Sequence, residues 1–305
     1  MDDAYQRRQA LRLTIPAFLT KRLFAQYNEE DANRILTGYA TRRPVTFRVN
    51  SLKASKDEVE AECAALGIEI KSSPVPNAYF VGNMRERELS ETPLFKNGKI
   101  YLQSLSSMLP PFLVKPEKGE SILDMTAAPG GKTSLLSALS GGEAFLTACE
   151  KDKIRAERLK YNLKKLGVPK TSVLVQDALA LDEFFRFDKI LLDAPCSGSG
   201  TLTPCGEIKI SEKLIENSVK LQEKLLRKAL KLLKNGSVLV YSTCSVLKEE
   251  NECVLERVLK EGSYELLPPE LPFSVPQLKS MKNTLLVPPD GEFEGFFCAL
   301  IRKNG

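Results

Sequence analysis

The chain has 305 residues, a length that allows two domains, and its 43% hydrophobic and 27% charged residues are typical of a globular protein. No apolar run approaches the ~20 residues that a membrane-spanning helix needs. The chain has no histidine and no tryptophan. The missing histidine excludes Ser-His-Asp and Cys-His catalysis, histidine-containing zinc sites and every imidazole general base. If the chain is an enzyme, its cysteine, carboxylate and lysine side chains must act as nucleophiles and proton carriers.

Positive charge is concentrated near the N-terminus. The 44 Lys and Arg residues exceed the 39 Asp and Glu residues by five, which is too little to imply a nucleic-acid partner. The first 50 residues, however, hold nine basic and five acidic residues. Such an excess is typical either of a solvated helical face or of a surface that contacts phosphate groups.

The seven cysteines predict free thiols rather than a disulfide framework. Their number is odd, they are widely spaced, and no Cys-x-x-Cys pair is present, so neither disulfides nor a zinc ribbon is expected. The N-terminus is acidic and lacks the apolar core of a signal peptide, so we expect a reducing, cytoplasmic location. The cysteines are Cys63, Cys149, Cys196, Cys205, Cys244, Cys253 and Cys298.

The first third of the chain is predicted as a small α+β unit. Residues 4–40 have the pattern of two or three short amphipathic helices, with breaks near Pro16 and Asn28. Ser55 is predicted to begin a helix that ends at Leu66, because a glutamate three residues after the serine completes a capping box. Strands are predicted on both sides of this helix, at 46–50 and 68–70.

After residue 100 the pattern changes to strands that alternate with helices. Such alternation predicts an α/β fold with a doubly wound, mostly parallel sheet covered on both faces. We therefore divide the chain into domains at 1–100 and 101–305, and we expect the apolar run 295–301 to add an edge strand. The predicted strands are 122–125, 144–149, 173–175, 190–192 and 238–241, and the predicted helices are 131–140, 152–166, 212–234 and 248–260.

A glycine-rich loop in the segment 121–133 joins the first of these strands to a helix. Small residues let the backbone approach a ligand, and the helix that follows supplies free N–H groups. A Walker A loop would need glycine where Thr126 stands, and the G-x-G-x-x-G fingerprint of dinucleotide-binding folds is absent. The third alternative is an S-adenosylmethionine site.

Two carboxylates support the S-adenosylmethionine alternative. Glu150 follows the next predicted strand, where a carboxylate can accept hydrogen bonds from both ribose hydroxyls, and Asp177 follows the third, where it could reach the adenine amine. Either residue alone would be interpreted as an ordinary surface carboxylate. Because both lie at strand ends beside a glycine loop, where such sheets bind ligands, we interpret them as cofactor-binding residues.

Two cysteines follow central strands at the same edge of the predicted sheet. One strand leads to Asp193-Ala-Pro-Cys196 and another to Thr243-Cys244. A thiolate can add to carbon 6 of a cytosine and so make carbon 5 nucleophilic enough to take a methyl group, while Asp193 could stabilise the adduct. Enzymes that methylate base amines present a D/N-P-P-aromatic loop here, and this chain does not. The residues alone do not say which cysteine attacks.

At these motifs the sequence resembles the NOL1/NOP2/Sun family of RNA cytosine-5 methyltransferases, which includes the bacterial Sun (Fmu) enzymes that act on 16S rRNA. The resemblance implies a class I Rossmann-like methyltransferase domain preceded by a small α+β RNA-binding domain. The matching stretches run in order from about residue 45 to about residue 300, so no single motif carries the resemblance. They are 47–53, 101–111, 124–133, 193–200, 241–245, 249–252 and 295–297.

The resemblance also implies roles for individual residues. Cys244 is the nucleophile in such RNA enzymes, Cys196 assists product release, and Lys132 orients the cofactor or the base. The group that removes the carbon-5 proton is left as Cys196, Asp193 or a bound water. The residues implied to line the cofactor pocket are Thr126, Ala127, Ala128, Pro129, Gly130, Gly131, Lys132, Glu150, Asp177 and Asp193.

The sequence departs from the family pattern at Thr126, where cysteine is usual, and we expect little loss of function because threonine is also small. We expect neither the NusB-like extension of longer bacterial members nor a PUA domain. The resulting prediction is a monomeric, cytoplasmic RNA cytosine-5 methyltransferase without metal or membrane association, with ribosomal RNA favoured over transfer RNA. The alternatives are an RNA-binding assembly factor that has lost catalysis and a P-loop-like nucleotidase.

Overall fold

The computed structural model describes residues 15–204 and 209–305. The predicted helical residues 4–14 and Cys205 lie outside these ranges. Within them the helices are α1 (Ala17–Gln26), α2 (Glu29–Tyr39), α3 (Lys56–Ala65), α4 (Glu86–Ser90), α5 (Pro93–Lys96), α6 (Leu105–Val114), α7 (Gly131–Leu139), α8 (Lys153–Lys165), α9 (Glu212–Leu232) and α10 (Glu252–Leu259). The strands are β1 (Val45–Val49), β2 (Ile70–Ser72), β3 (Ala78–Val81), β4 (Ile100–Leu102), β5 (Ser121–Asp124), β6 (Phe145–Cys149), β7 (Thr171–Leu174), β8 (Phe187–Asp193), β9 (Leu233–Thr243), β10 (Tyr264–Leu267), β11 (Thr284–Val287) and β12 (Phe296–Lys303).

The small sheet has the strand order β2-β3-β1-β4, and its pairs are antiparallel. The capping box predicted for α3 is confirmed, since Ser55 Oγ accepts from the Glu58 amide at 3.2 Å and the Glu58 carboxylate accepts from the Ser55 amide at 2.7 Å. The strand predicted at 68–70 begins later, as β2, because the Ile68 amide still donates to the Cys63 carbonyl of α3 at 2.9 Å. Strand β4 completes this sheet and lies across the predicted boundary at residue 100.

The large sheet has the order β10-β12-β9-β8-β5-β6-β7, with β11 also paired to β12. The strands from β5 to β9 are parallel to one another, as predicted. The apolar run 295–301 does form a strand, β12, but its expected place at an edge is wrong. Strand β12 lies antiparallel between β9 on one side and β10 and β11 on the other, and this enclosure explains why the run is apolar throughout.

The N-terminal helices α1 and α2 pack in the core of the large sheet. Leu19, Leu23 and Ile35 are fully buried in one cluster with side chains of β8 and α9, such as Leu192 and Leu226. The amphipathic pattern of residues 15–40 predicted helices with one apolar face. It did not show that the large sheet, rather than the small one, would cover that face.

Two of the predicted helices are shorter than expected. The helix predicted at 212–234 ends at Leu232, and the following residue begins β9. The helix predicted at 248–260 divides into a 3₁₀ turn, Lys248–Glu250, and α10, with Asn251 between them in a non-helical conformation. Glu250 is fully buried at this break.

The order of the strands positions the candidate site. The order reverses between β5 and β8, and doubly wound sheets bind ligands beside the carboxyl ends of the strands at such a reversal. The buried Arg48 of β1 joins the small sheet to this point, because its guanidinium donates to the Gly131 carbonyl at 3.1 Å and to Ser134 Oγ at 2.7 Å at the start of α7. The small sheet is therefore held against the glycine loop.

Candidate active site

The glycine loop lies between β5 and α7, and glycine is favoured at two of its positions for different reasons. Gly130 has a φ of +105°, a conformation that residues with side chains rarely adopt. A Cβ atom at Gly131 would lie 2.9 Å from Cε1 of Tyr101. Gly130 faces the Leu159 side chain rather than the ligand side of the loop. The predicted loop residues that line a cavity of about 230 Å³ are Thr126, Ala127, Ala128, Pro129, Gly131 and Lys132.

A second cavity, of about 240 Å³, adjoins the first. Thr126, Ala128 and Asp193 line both cavities, so the two are contiguous. The second cavity brings together predicted site residues that follow four different strands. They are Glu150, Asp177, Asp193, Cys196 and Cys244.

The two carboxylates predicted to bind the nucleoside are oriented by nearby backbone groups. Glu150 Oε1 accepts from the Asp152 amide at 2.9 Å, and Glu150 Oε2 lies 3.3 Å from an Arg155 nitrogen. Asp177 Oδ1 accepts from the Leu179 amide at 2.9 Å. Each carboxylate keeps unused lone pairs that can accept from a ligand.

The two cavities fit S-adenosylmethionine. Oδ1 of Asp124 is buried at the end of β5 with no hydrogen-bond partner among the described residues, so it is available to a cationic donor such as an amino group. Glu150 and Asp177 offer acceptors for hydroxyl and amine groups in the adjoining cavity. The site therefore has an acceptor for an ammonium group at one end and acceptors for a nucleoside at the other. These two ends match the two ends of S-adenosylmethionine.

The buried Asp124 leads to a prediction about pH. Burial raises the pKa of its carboxyl from 3.8 to about 6, although Thr133 Oγ1 donates to it at 2.7 Å. Folding therefore favours the protonated form, so the contribution of this group to stability is complete below about pH 4 and is lost as the pH rises towards about 6. The free energy of unfolding of Asp124→Asn, minus that of the unsubstituted chain, should therefore increase by roughly 2–3 kcal/mol as the pH rises from about 4 to about 7. Urea titrations of the cofactor-free protein measure this difference.

Asp188→Asn is the matched control for that measurement. Partial burial raises the pKa of Asp188, but hydrogen bonds from Lys234 and from the Ser121 amide lower it by more, so its pKa is lowered. Its contribution to stability is therefore lost as the pH falls, and the difference between variant and unsubstituted chain should change in the opposite direction. A pH-independent difference for Asp124→Asn would contradict the prediction.

Asp193, at the end of β8, is held by three contacts. Its Oδ2 lies 2.7 Å from Lys132 Nζ, its Oδ1 accepts from Ser242 Oγ at 2.8 Å, and its backbone carbonyl accepts from Thr126 Oγ1 at 2.8 Å. Burial lowers the pKa of Lys132, but the charges of Asp193 and Asp124 raise it by more, so the pKa is raised and the side chain is an ammonium. Thr126, the departure from the family pattern, thus joins the glycine loop to β8.

The two predicted catalytic cysteines are in contact, with their Sγ atoms 3.0 Å apart. The parallel pairing of Asp193 in β8 with Ser242 in β9 brings the loops that follow these strands together. The hydrogen bond with Cys244, burial and the nearby Glu250 carboxylate raise the pKa of the Cys196 thiol well above its ordinary value. Cys196 is therefore held as a thiol that can donate to the Cys244 sulfur.

Glu250 joins the two cysteine loops, and it was not among the predicted site residues. Its carboxylate accepts from the amide and the hydroxyl of Ser197, at 2.7 and 2.6 Å, and from the hydroxyl of Ser245 at 2.6 Å. Each serine directly follows one of the cysteines in the chain. Residues 249–252, one of the stretches that resemble the family, include Glu250. In the sequence, however, a glutamate among other carboxylates of a predicted helix does not indicate a buried residue. Only its contacts in three dimensions distinguish it.

The other cysteines lie outside the thiol pair. The six cysteines that the structure describes are all free thiols. Cys149 lies at the edge of the second cavity, where burial raises the pKa of its thiol to about 12.

Residues 15–204 and 209–305 contain no group of three or more side chains suited to hold a metal ion. In the same ranges, no helix is both long enough and apolar enough to cross a bilayer.

Two family models match this chain. The model of the 16S rRNA methyltransferase RsmB/F family matches residues 111–302, which include the large sheet. A model described as the ferredoxin-like domain of RsmF/B-like methyltransferases matches residues 15–82, which include β1, β2 and β3. The first match alone covers more than half of the chain.

Individual relatives match over most of the chain's length. The probable ribosomal RNA small subunit methyltransferase B of Bacillus subtilis is 30% identical over 308 residues, which cover 98% of this chain and 68% of that protein. The tRNA (cytosine(72)-C(5))-methyltransferase of Pyrococcus horikoshii is 35% identical over 216 residues, which cover 70% of this chain and 55% of that protein. The chain thus spans about two thirds of the first relative and about half of the second.

A solved structure with a bound cofactor analogue is also similar. The crystal structure of NSun6 from Pyrococcus horikoshii with SFG, an analogue of S-adenosylmethionine, superposes with a TM-score of 0.84 at 25% identity and covers 94% of this chain and 98% of that one. The expected methyltransferase fold and the S-adenosylmethionine cofactor are confirmed. The chain belongs to the NOL1/NOP2/Sun family of S-adenosylmethionine-dependent RNA cytosine-C5 methyltransferases.

Proposed function

We propose that this chain transfers the methyl group of S-adenosylmethionine to carbon 5 of a cytosine in RNA through a covalent adduct with Cys244. The observation that carries the proposal is the 3.0 Å contact between the Sγ atoms of Cys196 and Cys244, beside a cavity that Asp193 also lines. A pair of thiols in this position suits a reaction in which one sulfur attacks a base and the other helps it to leave.

S-adenosylmethionine supplies an electrophilic methyl group when it is bound. The loop 126–132 would lie along the cofactor, because its small side chains leave the backbone accessible. Glu150 and Asp177 would accept hydrogen bonds from the hydroxyl and amine groups of the nucleoside. Asp124 would accept from the amino group through its unpartnered Oδ1. These residues position the methyl group without taking part in bond formation.

Cys244 is the nucleophile in this proposal. Its thiolate forms a bond to carbon 6 of the cytosine, and the electron pair of the C5–C6 double bond becomes available at carbon 5, which takes the methyl group. Asp193, held by Lys132, accepts a hydrogen bond from the exocyclic amine and stabilises the adduct. The Asp193 carboxylate or a bound water then takes the carbon-5 proton, the electron pair of the C–H bond restores the C5–C6 double bond, and the bond between carbon 6 and Cys244 breaks with its electron pair left on the sulfur. The Cys196 thiol stabilises the leaving thiolate by donating a hydrogen bond to it.

We propose ribosomal RNA ahead of transfer RNA as the substrate. The family model that matches 111–302 describes 16S rRNA enzymes, and the Bacillus relative is described as acting on small-subunit rRNA, whereas the archaeal relative is described as a tRNA methyltransferase. In this proposal residues 1–100 bind RNA and residues 101–305 catalyse the transfer. The protein acts as a monomer in the cytoplasm, because one chain supplies every proposed site residue and because the thiol nucleophile needs a reducing compartment.

Methyl transfer to purified RNA tests this function. The protein with radiolabelled S-adenosylmethionine should label 16S rRNA, free or in small subunits, and bisulfite sequencing should locate the label at carbon 5 of a cytosine. RNA binding without transfer, by protein that still binds S-adenosylmethionine, would support the assembly-factor alternative. ATP hydrolysis without S-adenosylmethionine binding would support the nucleotidase. Preferential labelling of tRNA would keep the chemistry and replace the substrate.

A further inference from the structure

A strongly basic surface lies on α8, away from the basic N-terminus. Residues 151–170 hold eight Lys and Arg residues against two Asp and Glu residues, so these twenty residues carry +6 while the whole chain carries +5. The remainder of the chain is therefore slightly negative. Net positive charge is therefore more concentrated here than in the first 50 residues, where the sequence analysis located the basic excess.

The helix exposes this charge because its apolar side is buried. Leu159 and Leu163 pack against the glycine loop and β6, and Ala156 on the same side is also buried. The opposite side of α8 therefore faces solvent, and one row of side chains at spacings of three and four residues runs along it. This row consists of Ile154, Arg158, Tyr161 and Lys165, and Lys151 lies two residues before the helix begins. We call these five residues the α8 stripe.

The α8 stripe alternates cations with large apolar side chains that solvent reaches. Ile154 is 73% exposed and Tyr161 is 67% exposed. An ordinary solvated helix face has no need of exposed aromatic and aliphatic groups between its charges. A row of cations with an aromatic ring between them is instead the arrangement that single-stranded nucleic acids bind, through phosphate pairing and base stacking.

The cations of the α8 stripe are not neutralised by carboxylates of the residues that the structure describes. Glu157 pairs with Lys160 at 2.8 Å, and Asp152 accepts from the Arg155 amide at 2.8 Å as the helix cap. Within residues 15–204 and 209–305, neither Lys151 nor Arg158 has an ion-pair partner. Their charges are therefore available to an anionic ligand.

Helix α9 shows the contrast, since it is also rich in lysine. Lys228 and Lys231 pair with Glu183 at 3.4 and 3.1 Å, and Lys234, which follows the helix, pairs with Asp188 at 2.6 Å. Much of the positive charge of this region is thus matched by carboxylates. That difference makes α8, rather than α9, the candidate for binding an external polyanion.

The two ends of the α8 stripe contact the two functional parts of the molecule. Lys151 lines the cavity that also contains Glu150 and the cysteine pair. At the other end, Lys165 Nζ lies 3.6 Å from the centre of the Phe95 ring of α5, beside the small sheet. The 13 residues of α8 span about 20 Å. The stripe therefore forms a continuous path from the small sheet to the candidate active site.

We propose that the α8 stripe binds the sugar–phosphate backbone of the substrate RNA beside the target cytosine, with Tyr161 stacking on an unpaired base. This inference rests on the proposed function, because it takes the RNA substrate from there. Arg158 and Lys151 pair with phosphates, and the exposed ring and the Ile154 side chain contact a base or a ribose. Recognition by this surface is independent of base sequence, since none of its groups is set to read a base edge.

The double variant Arg158→Gln/Tyr161→Ala tests this inference in the full chain. Both side chains are exposed and lie outside the cavities, so the fold and S-adenosylmethionine binding should be unchanged. We expect the Kd for a single-stranded RNA containing cytosine to rise about tenfold or more at 0.1 M salt, because stacking and phosphate pairing are both lost. Arg158→Gln alone should reduce the slope of log K against log salt by about 0.7–1. In methyl transfer, KM for RNA should rise while kcat at saturating RNA is unchanged.

Lys220→Gln/Lys224→Gln on the exposed side of α9 is the matched control, because it removes two exposed lysines from another helix. The inference would be overturned if the control lost as much RNA affinity as the Arg158→Gln/Tyr161→Ala variant. It would also be overturned if neither variant lost RNA affinity. The surface would be assigned to a membrane instead if the unsubstituted chain bound phosphatidylglycerol vesicles as tightly as RNA and through the same residues. RNA affinity and methyl transfer are measured separately, so the absence of methyl transfer would contradict the proposed function and leave this inference to be judged by affinity alone.

Discussion

Cys244→Ala is expected to reduce methyl transfer by on the order of 10⁴-fold or more, because removal of an enzyme nucleophile leaves only binding and electrostatic stabilisation. The Asp193–Lys132 pair would remain, so RNA and S-adenosylmethionine should still bind. No covalent protein–RNA species should form at any time. Transfer of radiolabelled methyl groups measures the rate, and denaturing gels measure the adduct.

Cys196→Ala is expected to give the opposite result on the same gels. The adduct with Cys244 can form, but the thiol that lies 3.0 Å from the leaving sulfur is missing, so release slows and an RNase-sensitive, denaturant-resistant complex accumulates. Cys253→Ala is the control, since this partly buried thiol is not among the residues lining either cavity and should leave both turnover and adduct unchanged. If the complex accumulated with Cys244→Ala and not with Cys196→Ala, the two roles would be reversed.

Glu250→Gln is expected to lower kcat by about 100-fold and the free energy of unfolding by about 1–3 kcal/mol. The carboxylate now accepts from the Ser197 amide, the Ser197 hydroxyl and the Ser245 hydroxyl, all at 2.6–2.7 Å. A glutamine replaces one acceptor oxygen by an NH₂ group that can only donate, so at least one of these hydrogen bonds is lost or must reverse its direction. The loops that carry the two cysteines then lose their common anchor.

The decisive measurement separates positioning from folding. Single-turnover adduct formation, measured well below the Tm, should slow per folded molecule, while the Kd values for RNA and S-adenosylmethionine remain as they were. A merely structural residue would instead lower the fraction of folded protein and leave the rate per folded site unchanged. Glu249→Gln is the control, because the neighbouring carboxylate pairs with Arg22 at 2.8 Å in a partly exposed contact, which contributes only about 0–1 kcal/mol. Equal effects of the two variants would show that Glu250 has no special position.

Local signals in the sequence predicted the elements that carry the site. The capping box at Ser55 was predicted because both of its partners are only three residues apart. The cysteine pair was predicted because parallel strands present their carboxyl ends at one edge of the sheet, so motifs far apart in sequence must meet there. These predictions needed only nearest neighbours in the chain or a general rule about sheets.

Predictions that depended on distant packing were less successful. The run 295–301 is apolar whether a strand is covered by one neighbour or by two, so its interior place between β9 and β10 was not visible. Likewise, the amphipathic helices α1 and α2 could have packed on either sheet, and the large one buries them. The deciding contacts of α1 and α2 are with residues such as Leu192 and Leu226, about 150 or more positions away, and those of β12 with β9 are with residues 54 to 64 positions away.

The amino-acid composition and the order of the motifs establish which chemistry is available to this protein. With no histidine, and with thiols and a carboxylate at the ends of adjacent strands, only cysteine, carboxylate and lysine groups could act at the predicted site. The tertiary structure decided how these groups act on one another: the register of β8 and β9 sets the 3.0 Å contact of the thiols, and burial of Glu250 between their loops holds it. It also decided that Lys151 and Arg158 face solvent with no ion-pair partner among the residues that the structure describes. Distances and exposure depend on which surfaces pack together, and packing is a property of the whole chain rather than of any local stretch.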